Sequence, residues 1–126
     1  MKLQDLLKEE NRLAEICEVL KAIAHPTRMR ILCLLRQGPQ CVSEIEAAVP
    51  ASQVNISQHL AVLRHAGLVN FVSEGAQRCY YLTRPELTEG LCSVLQGDHR
   101  AVTLSKEDVL RQRRRTSPTA SGAGCD

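Results

Sequence analysis

Only Ala51 stands between a helix-ending proline, Pro50, and a helix-capping serine, Ser52. On the N-terminal side, Ser43-Glu44-Ile45-Glu46 reads as a capping box, with Glu46 able to reach back to the Ser43 amide, and opens a short helix that Pro50 ends. On the C-terminal side, Ser52 opens a helix that Gly67 stops. Two helices joined by so short a turn form a helix-turn-helix, and the rest of the chain must fold around that unit.

The second of these helices has two unlike faces. Ile56, Leu60 and Leu63 recur at i, i+4 and i+7 and form an apolar stripe. Val54, Gln58, Ala61 and His65 point the other way. An ordinary solvated face would carry Glu and Lys. Amides, hydroxyls and methyl-sized groups suit the major groove of DNA, where amides pair with adenine edges and methyls touch thymine. Asn55 and Gln58 are the candidates for base edges, with Gln53 and His59 beside them. Ser52 and Ser57 are placed to bond phosphates, helped by the helix N-terminus.

The chain has 126 residues, enough for one domain with a modest core. Aromatic residues make up only 2%, so that core must be aliphatic, which favours packed helices over a sandwich. No run of about 18 apolar residues offers a membrane span. The charged start Met1-Lys2-Leu3-Gln4-Asp5 lacks the apolar stretch of a secretory signal, and the expected compartment is the cytoplasm. Four of the sixteen basic residues crowd into Arg111–Arg115, leaving residues 1–110 with twelve basic and thirteen acidic side chains. A near-neutral body makes any nucleic-acid site local rather than spread over the surface. The arginine cluster reads either as extra nonspecific DNA affinity or as a solvated tail. Neither a nucleophile–base motif nor a phosphate loop is present, and no enzyme is expected.

Upstream, Leu13, Ile16, Cys17, Leu20, Ile23 and Ala24 predict a helix over roughly residues 8–24. His25-Pro26 breaks it, and Pro26 suits the opening turn of a second helix that ends at Gly38-Pro39. Downstream, residues 68–73 and 77–82 are β-rich runs around a Glu74-Gly75-Ala76 turn. A two-stranded hairpin is marginal alone and must lean on the helical body. Helix-turn-helix followed directly by a hairpin is the order of a winged helix. Gln77 and Arg78 on this wing would approach the flanking minor groove or backbone. Arg64 reads as a phosphate clamp or as the partner of a carboxylate within the fold. Thr83-Arg84-Pro85-Glu86 forms a second capping box, opening a helix that Gly97 ends. The expected fold class is mainly α with a small β-hairpin. The expected organisation is a winged helix-turn-helix domain over 1–97, an extension with a short helix capped by Ser105 over 98–115, and a disordered tail over 116–126.

This order of elements resembles the ArsR/SmtB family. Three stretches carry the likeness: Ala22-Ile23-Ala24-His25-Pro26-Thr27-Arg28-Met29-Arg30-Ile31-Leu32; Ser57-Gln58-His59-Leu60-Ala61-Val62-Leu63-Arg64-His65-Ala66-Gly67-Leu68-Val69; and the wing from Glu74-Gly75 to Tyr80-Tyr81-Leu82. The likeness as a whole covers roughly residues 12–96. The resemblance implies a homodimeric repressor on double-stranded operator DNA with two-fold pseudo-symmetry, with no membrane partner. It implies dimerisation through the first helix and the helix at 83–96. An inducer releases such repressors, often a metal ion, metalloid or reactive sulfur species. No resident cofactor is implied. Arsenite, a soft divalent metal, or a reversible disulfide or polysulfide is the inducer chemistry to test.

Six cysteines bear on that inducer: Cys17, Cys33, Cys41, Cys79, Cys92 and Cys125. No CxxC or zinc-finger spacing is present, and a structural disulfide framework is not expected in a reducing compartment. The family's arsenic-sensing branch has Cys-Val-Cys where this chain has Cys41-Val42-Ser43, so one thiol is missing. Cys41 is left to bind an inducer together with a distant partner such as Cys17 or a cysteine of a second subunit. The zinc-sensing pattern is not met, because Asp98-His99 follows the Gly97 stop and no second histidine follows. The branch that senses persulfides or oxidants uses one cysteine on the second helix and one on the last. Cys33 matches the first, and Cys92 lies on the right helix but nearer its start. Both read equally as small buried hydrophobes. Cys79 reads as packing and Cys125 as an incidental tail thiol. The alternative function is a regulator of the same fold whose cysteines are structural and whose effector is an organic molecule or a protein.

Overall fold

A computed structural model describes residues 2–116. Cys125 and the expected tail beyond Thr116 lie outside the described residues. The chain forms one compact unit up to Gln96 and a second from Gly97.

In the first unit, α1 (Leu3–Lys8) and α2 (Glu10–Ile23) precede α3 (Pro26–Leu35). The helix expected over 8–24 is α2; α1 is an additional short helix before it, and Glu9 takes an extended backbone between them. His25 caps α3, its Nδ1 accepting from the Thr27 amide at 3.1 Å, and Pro26 sits in the first turn. β1 (Gln40–Cys41), which no sequence pattern announced, leads into α4 (Val42–Ala48). Here the expected Ser43 cap is corrected. Cys41 is the N-cap residue, and its amide donates to Glu44 Oε1 at 2.9 Å. Ser43 Oγ instead bonds Gln77 Oε1 at 3.0 Å.

Then come α5 (Gln53–His65), β2 (Val69–Glu74), β3 (Gln77–Leu82) and α6 (Pro85–Leu95). Ser52 caps α5 as expected, accepting from the Asn55 amide at 3.2 Å. Gly67 ends it at φ 75°, a backbone region open to glycine, and the Leu68 amide reaches back to the Leu63 carbonyl at 2.9 Å. The second expected capping box also fails. Thr83 Oγ1 donates to the Gly67 carbonyl at 2.6 Å, so Arg84 becomes the N-cap residue of α6, with no side-chain cap bond. The sheet has the order β1-β3-β2 and is antiparallel throughout, pairing Cys41 with Cys79 and Phe71 with Tyr80. The third strand gives the marginal hairpin the support it needs.

The core is aliphatic. Ile31, Leu32, Ile45, Ile56, Leu60, Leu63 and Leu68 are at most 1% exposed, and Tyr80, at 6%, is the one buried aromatic of the cluster among the described residues. In the second unit, α7 (Lys106–Thr116) is capped by Ser105 Oγ, and its first turn is tied by an Arg111–Asp108 ion pair of 2.8 Å. The helix runs through Thr116, one residue into the segment expected to be disordered, and buries none of its side chains. Among the described residues no helix is long and apolar enough to cross a membrane.

Leu60→Ala is expected to lower unfolding free energy by about 2–5 kcal/mol, because the packed neighbours collapse only partly around the cavity. Gln58→Ala, on the exposed face of the same helix, should stay within about 0.5 kcal/mol. Urea unfolding of the two variants checks the contrast.

Candidate nucleic-acid interface and thiol pair

Burial of Ile56, Leu60 and Leu63 decides which way the rest of α5 faces. Ser52, Gln53, Asn55, Ser57 and Gln58 all stand in solvent, with Val54 65% exposed among them. The protruding surface is therefore amide, hydroxyl and methyl, as the major groove asks. Gln53 Nε2 reaches back to Glu46 Oε2 at 3.1 Å, tying the two helices of the helix-turn-helix.

His59 is different. It is half-buried beside α3, its ring 4.3 Å from that of His25, and its Nδ1 accepts from Arg28 Nε at 3.2 Å. Arg28 also holds the Ala22 carbonyl at 3.0 Å. His59 thus fastens α5 to α3, with only part of its ring open to solvent. Burial holds its pKa below the ordinary histidine value, and the charges of His25 and Arg28 add to that.

The wing and α5 meet on one ring. Arg64 lies 4.6 Å and Arg78 4.4 Å from the centre of Phe71. Neither of the alternatives for Arg64, clamp or carboxylate partner, anticipated that aromatic seat. Two cations from distant parts of the sequence are thereby held together at the hairpin. Gln77 is bonded to Ser43 and sits at the hairpin turn.

Among the cysteines, Cys33 Sγ of α3 and Cys92 Sγ of α6 lie 3.4 Å apart. One helical turn along, Arg36 Nε donates to Glu89 Oε2 at 2.7 Å. The spacing is i, i+3 on both helices, so two rungs connect them side by side. The outer rung is solvated and lies beside the inner one. Burial pushes the Cys33 thiol above its ordinary value, and the hydrogen bond to Cys92 and its charge push further, while Arg36 pulls the other way. Cys92 is buried and Cys17 is an exposed free thiol on α2. The Cys41 sulfur is joined to that of Cys79. This corrects both the expectation of no structural disulfide and the assignment of Cys79 to packing alone. Ladder partners on β1 and β3 bring the two together, and β1 was the strand the sequence hid.

The family model for bacterial regulatory proteins of the arsR family matches residues 25–70, from the cap of α3 through the helix-turn-helix. The biofilm growth-associated repressor of Agrobacterium fabrum is 42% identical over 73 residues, 58% of this chain and 62% of the relative, so the match spans less than two thirds of that protein. The transcriptional activator HlyU of Vibrio cholerae is 38% identical over 87 residues, 69% of this chain and 78% of its own. The crystal structure of the transcriptional repressor BigR from Xylella fastidiosa superposes with a TM-score of 0.66 at 31% identity, covering 78% of this chain and all of that one. The chain belongs to the arsR family. A homodimeric winged helix-turn-helix DNA-binding domain from Mycobacterium bovis, a possible member of the same family, is also similar, with a TM-score of 0.62 at 29% identity over 71% of this chain and 90% of that one. In this arsR-family chain, the Arg36–Glu89 rung and the Phe71 seat are the parts that sequence reasoning missed. The signal for the rung was present as Cys-x-x-Arg on one helix and Glu-x-x-Cys on another.

Because the folded-state pKa of His59 lies below its ordinary value, the unfolded chain binds that proton more readily. Stability is complete above the ordinary histidine value of about 6.5 and declines as pH falls through it. His59→Gln, which keeps an acceptor for Arg28, should flatten that acid decline. Thermal midpoints of the two proteins between about pH 7.5 and 5.5 check it.

Proposed function

We propose that the chain is a homodimeric transcriptional repressor that lets go of its operator when Cys33 and Cys92 become covalently linked. The 3.4 Å approach of their sulfurs carries the reading. Linking them is a two-electron oxidation. A disulfide- or polysulfide-class oxidant, RS–SR, takes the electrons and both thiol protons and leaves as two RSH, while the two sulfurs bond. Closing to a bond of about 2.05 Å shortens the gap between the sulfurs by roughly 1.4 Å, shared between side-chain rotation and movement of α3 against α6. α3 contributes Ile31, Leu32 and Leu35 to the core that seats α5, so the shift reaches the recognition helix. Small shifts of this size are amplified where packed elements have two discrete arrangements.

The dimer rests on an apolar face. Leu20 of α2 and Leu87, Val94 and Leu95 of α6 are 39–60% exposed, and Leu20 and Leu87 line a groove of about 300 Å³ with Ile16, Val19 and Arg84. So much aliphatic surface on two neighbouring helices marks an interface. The homodimeric Mycobacterium bovis domain supports a second copy as the occupant. A two-fold dimer presents two α5 helices to two half-sites about one helical turn apart. Asn55 and Gln58 are assigned to base edges, Ser52 and Ser57 to phosphates, and Arg64 and Arg78 to the backbone beside the wing. Repression is supported by the names of the Agrobacterium and Xylella proteins.

The test uses DNA from upstream of the chain's own gene and the reduced protein. Oxidation by an organic polysulfide should weaken binding at least tenfold, with its rate rising as pH climbs toward and past the ordinary thiol range, because Cys33 must first lose its raised proton. Cys33→Ser and Cys92→Ser should bind as the reduced wild type does and ignore the polysulfide. A response undiminished in both variants overturns the thiol reading and leaves an organic or protein effector. Gln58→Ala should lose about 1–3 kcal/mol of operator binding while leaving nonspecific binding unchanged. Equal losses on operator and random DNA would remove Gln58 from base recognition.

A further inference from the structure

Near the turn of the hairpin three side chains converge that the thiol pair of α3 and α6 does not use. Cys41 of β1 and Cys79 of β3 face each other across the ladder, their sulfurs joined and their Cα atoms 3.9 Å apart. Cys79 Sγ lies 3.6 Å from Glu74 Oε2. Cys79 is buried, Cys41 half-buried and Glu74 exposed. The three ligand atoms lie within 4.8 Å of one another, and among the described residues no other group of three or more His, Cys, Asp or Glu has such spacing.

We propose that Cys41, Cys79 and Glu74, once the bond between the sulfurs is reduced, hold one soft divalent cation of the zinc and cadmium class. The reduction is a thiol exchange. Two low-molecular-weight thiols supply two electrons and two protons, leave as their own disulfide, and the S–S bond becomes two S–H groups. The cation then displaces both thiol protons, and the thiolates become its ligands.

The donor set selects the class of cation. Two thiolates favour zinc, cadmium and their kin over magnesium or calcium, which prefer all-oxygen sites. With zinc–sulfur bonds of about 2.3 Å, tetrahedral geometry sets the sulfurs about 3.8 Å apart. Opposed side chains on neighbouring strands are held near that separation by the ladder itself. Glu74, at the solvent edge, supplies a third ligand and leaves the fourth position to water. A three-thiolate metalloid site does not fit, since only two sulfurs are present. The position gives the site a consequence. Cys41 is the residue from which α4 begins, and Cys79 follows Arg78 on the wing. A bound cation would replace the covalent tie between helix-turn-helix and wing with a reversible one.

The experiment takes the full chain, reduced under anaerobic conditions, and titrates it first with cobalt(II) and then with zinc or cadmium in competition. One equivalent per chain and a thiolate-to-cobalt charge-transfer band are expected. Cys41→Ser and Cys79→Ser should lose the band while keeping the wild-type circular dichroism. Glu74→Gln, at an exposed position whose loss leaves the fold intact, should weaken binding by about tenfold or more. The double variant Cys33→Ser/Cys92→Ser should bind cobalt as wild type does, so this site stands or falls apart from the operator-release reading. The proposal is overturned if the reduced wild type binds no cobalt, if the band survives Cys79→Ser, if Glu74→Gln binds as tightly as wild type, or if the double variant abolishes the band.

Discussion

The exposed surface of α5 exists because Ile56, Leu60 and Leu63 are buried. Those three side chains are at most 1% exposed, and they hold the helix against Ile31, Leu32 and Leu68 in a core almost free of aromatic residues. A helix can bury only one stripe when its partners lie on one side. Everything opposite, from Ser52 to Gln58, is thereby pushed into solvent. The face assigned to DNA is thus produced by hydrophobic packing behind it.

A second constraint runs from α3. This helix touches the seat of α5 through Arg28 and His59, and touches α6 through Cys33 and Arg36. One short helix therefore borders both α5 and the helix that carries the exposed apolar face. Under the proposed function, chemistry at Cys33 acts on that shared support.

The broad order of elements was legible because periodicity and punctuation are local properties. Ile56, Leu60 and Leu63 repeat at helical spacing, Ser52 and Gly67 bound the helix, and Pro26 opens another. Both other capping boxes misled, and for one reason. The hydroxyls of Ser43 and Thr83 found partners from distant sequence, Gln77 and the Gly67 carbonyl, and so were not spent on their own helices. β1 escaped notice because two residues are too few to show alternation, and only β3 makes them a strand. His59 counted among the groove-facing residues because α5 was read as two faces. It lies at their border, where α3 claims it.

The sequence by itself determined the helix-turn-helix, the wing and the composition of the outward face of α5, since each rests on residues within a few positions of one another. It also placed Cys33 and Cys92 on the two helices where they lie. Tertiary structure alone decided which sulfurs meet: Cys33 with Cys92 across two packed helices, and Cys41 with Cys79 across a ladder. It likewise decided that Arg64 and Arg78 share Phe71. Contacts between residues dozens of positions apart depend on how whole elements pack, and no local pattern of side chains encodes that distance.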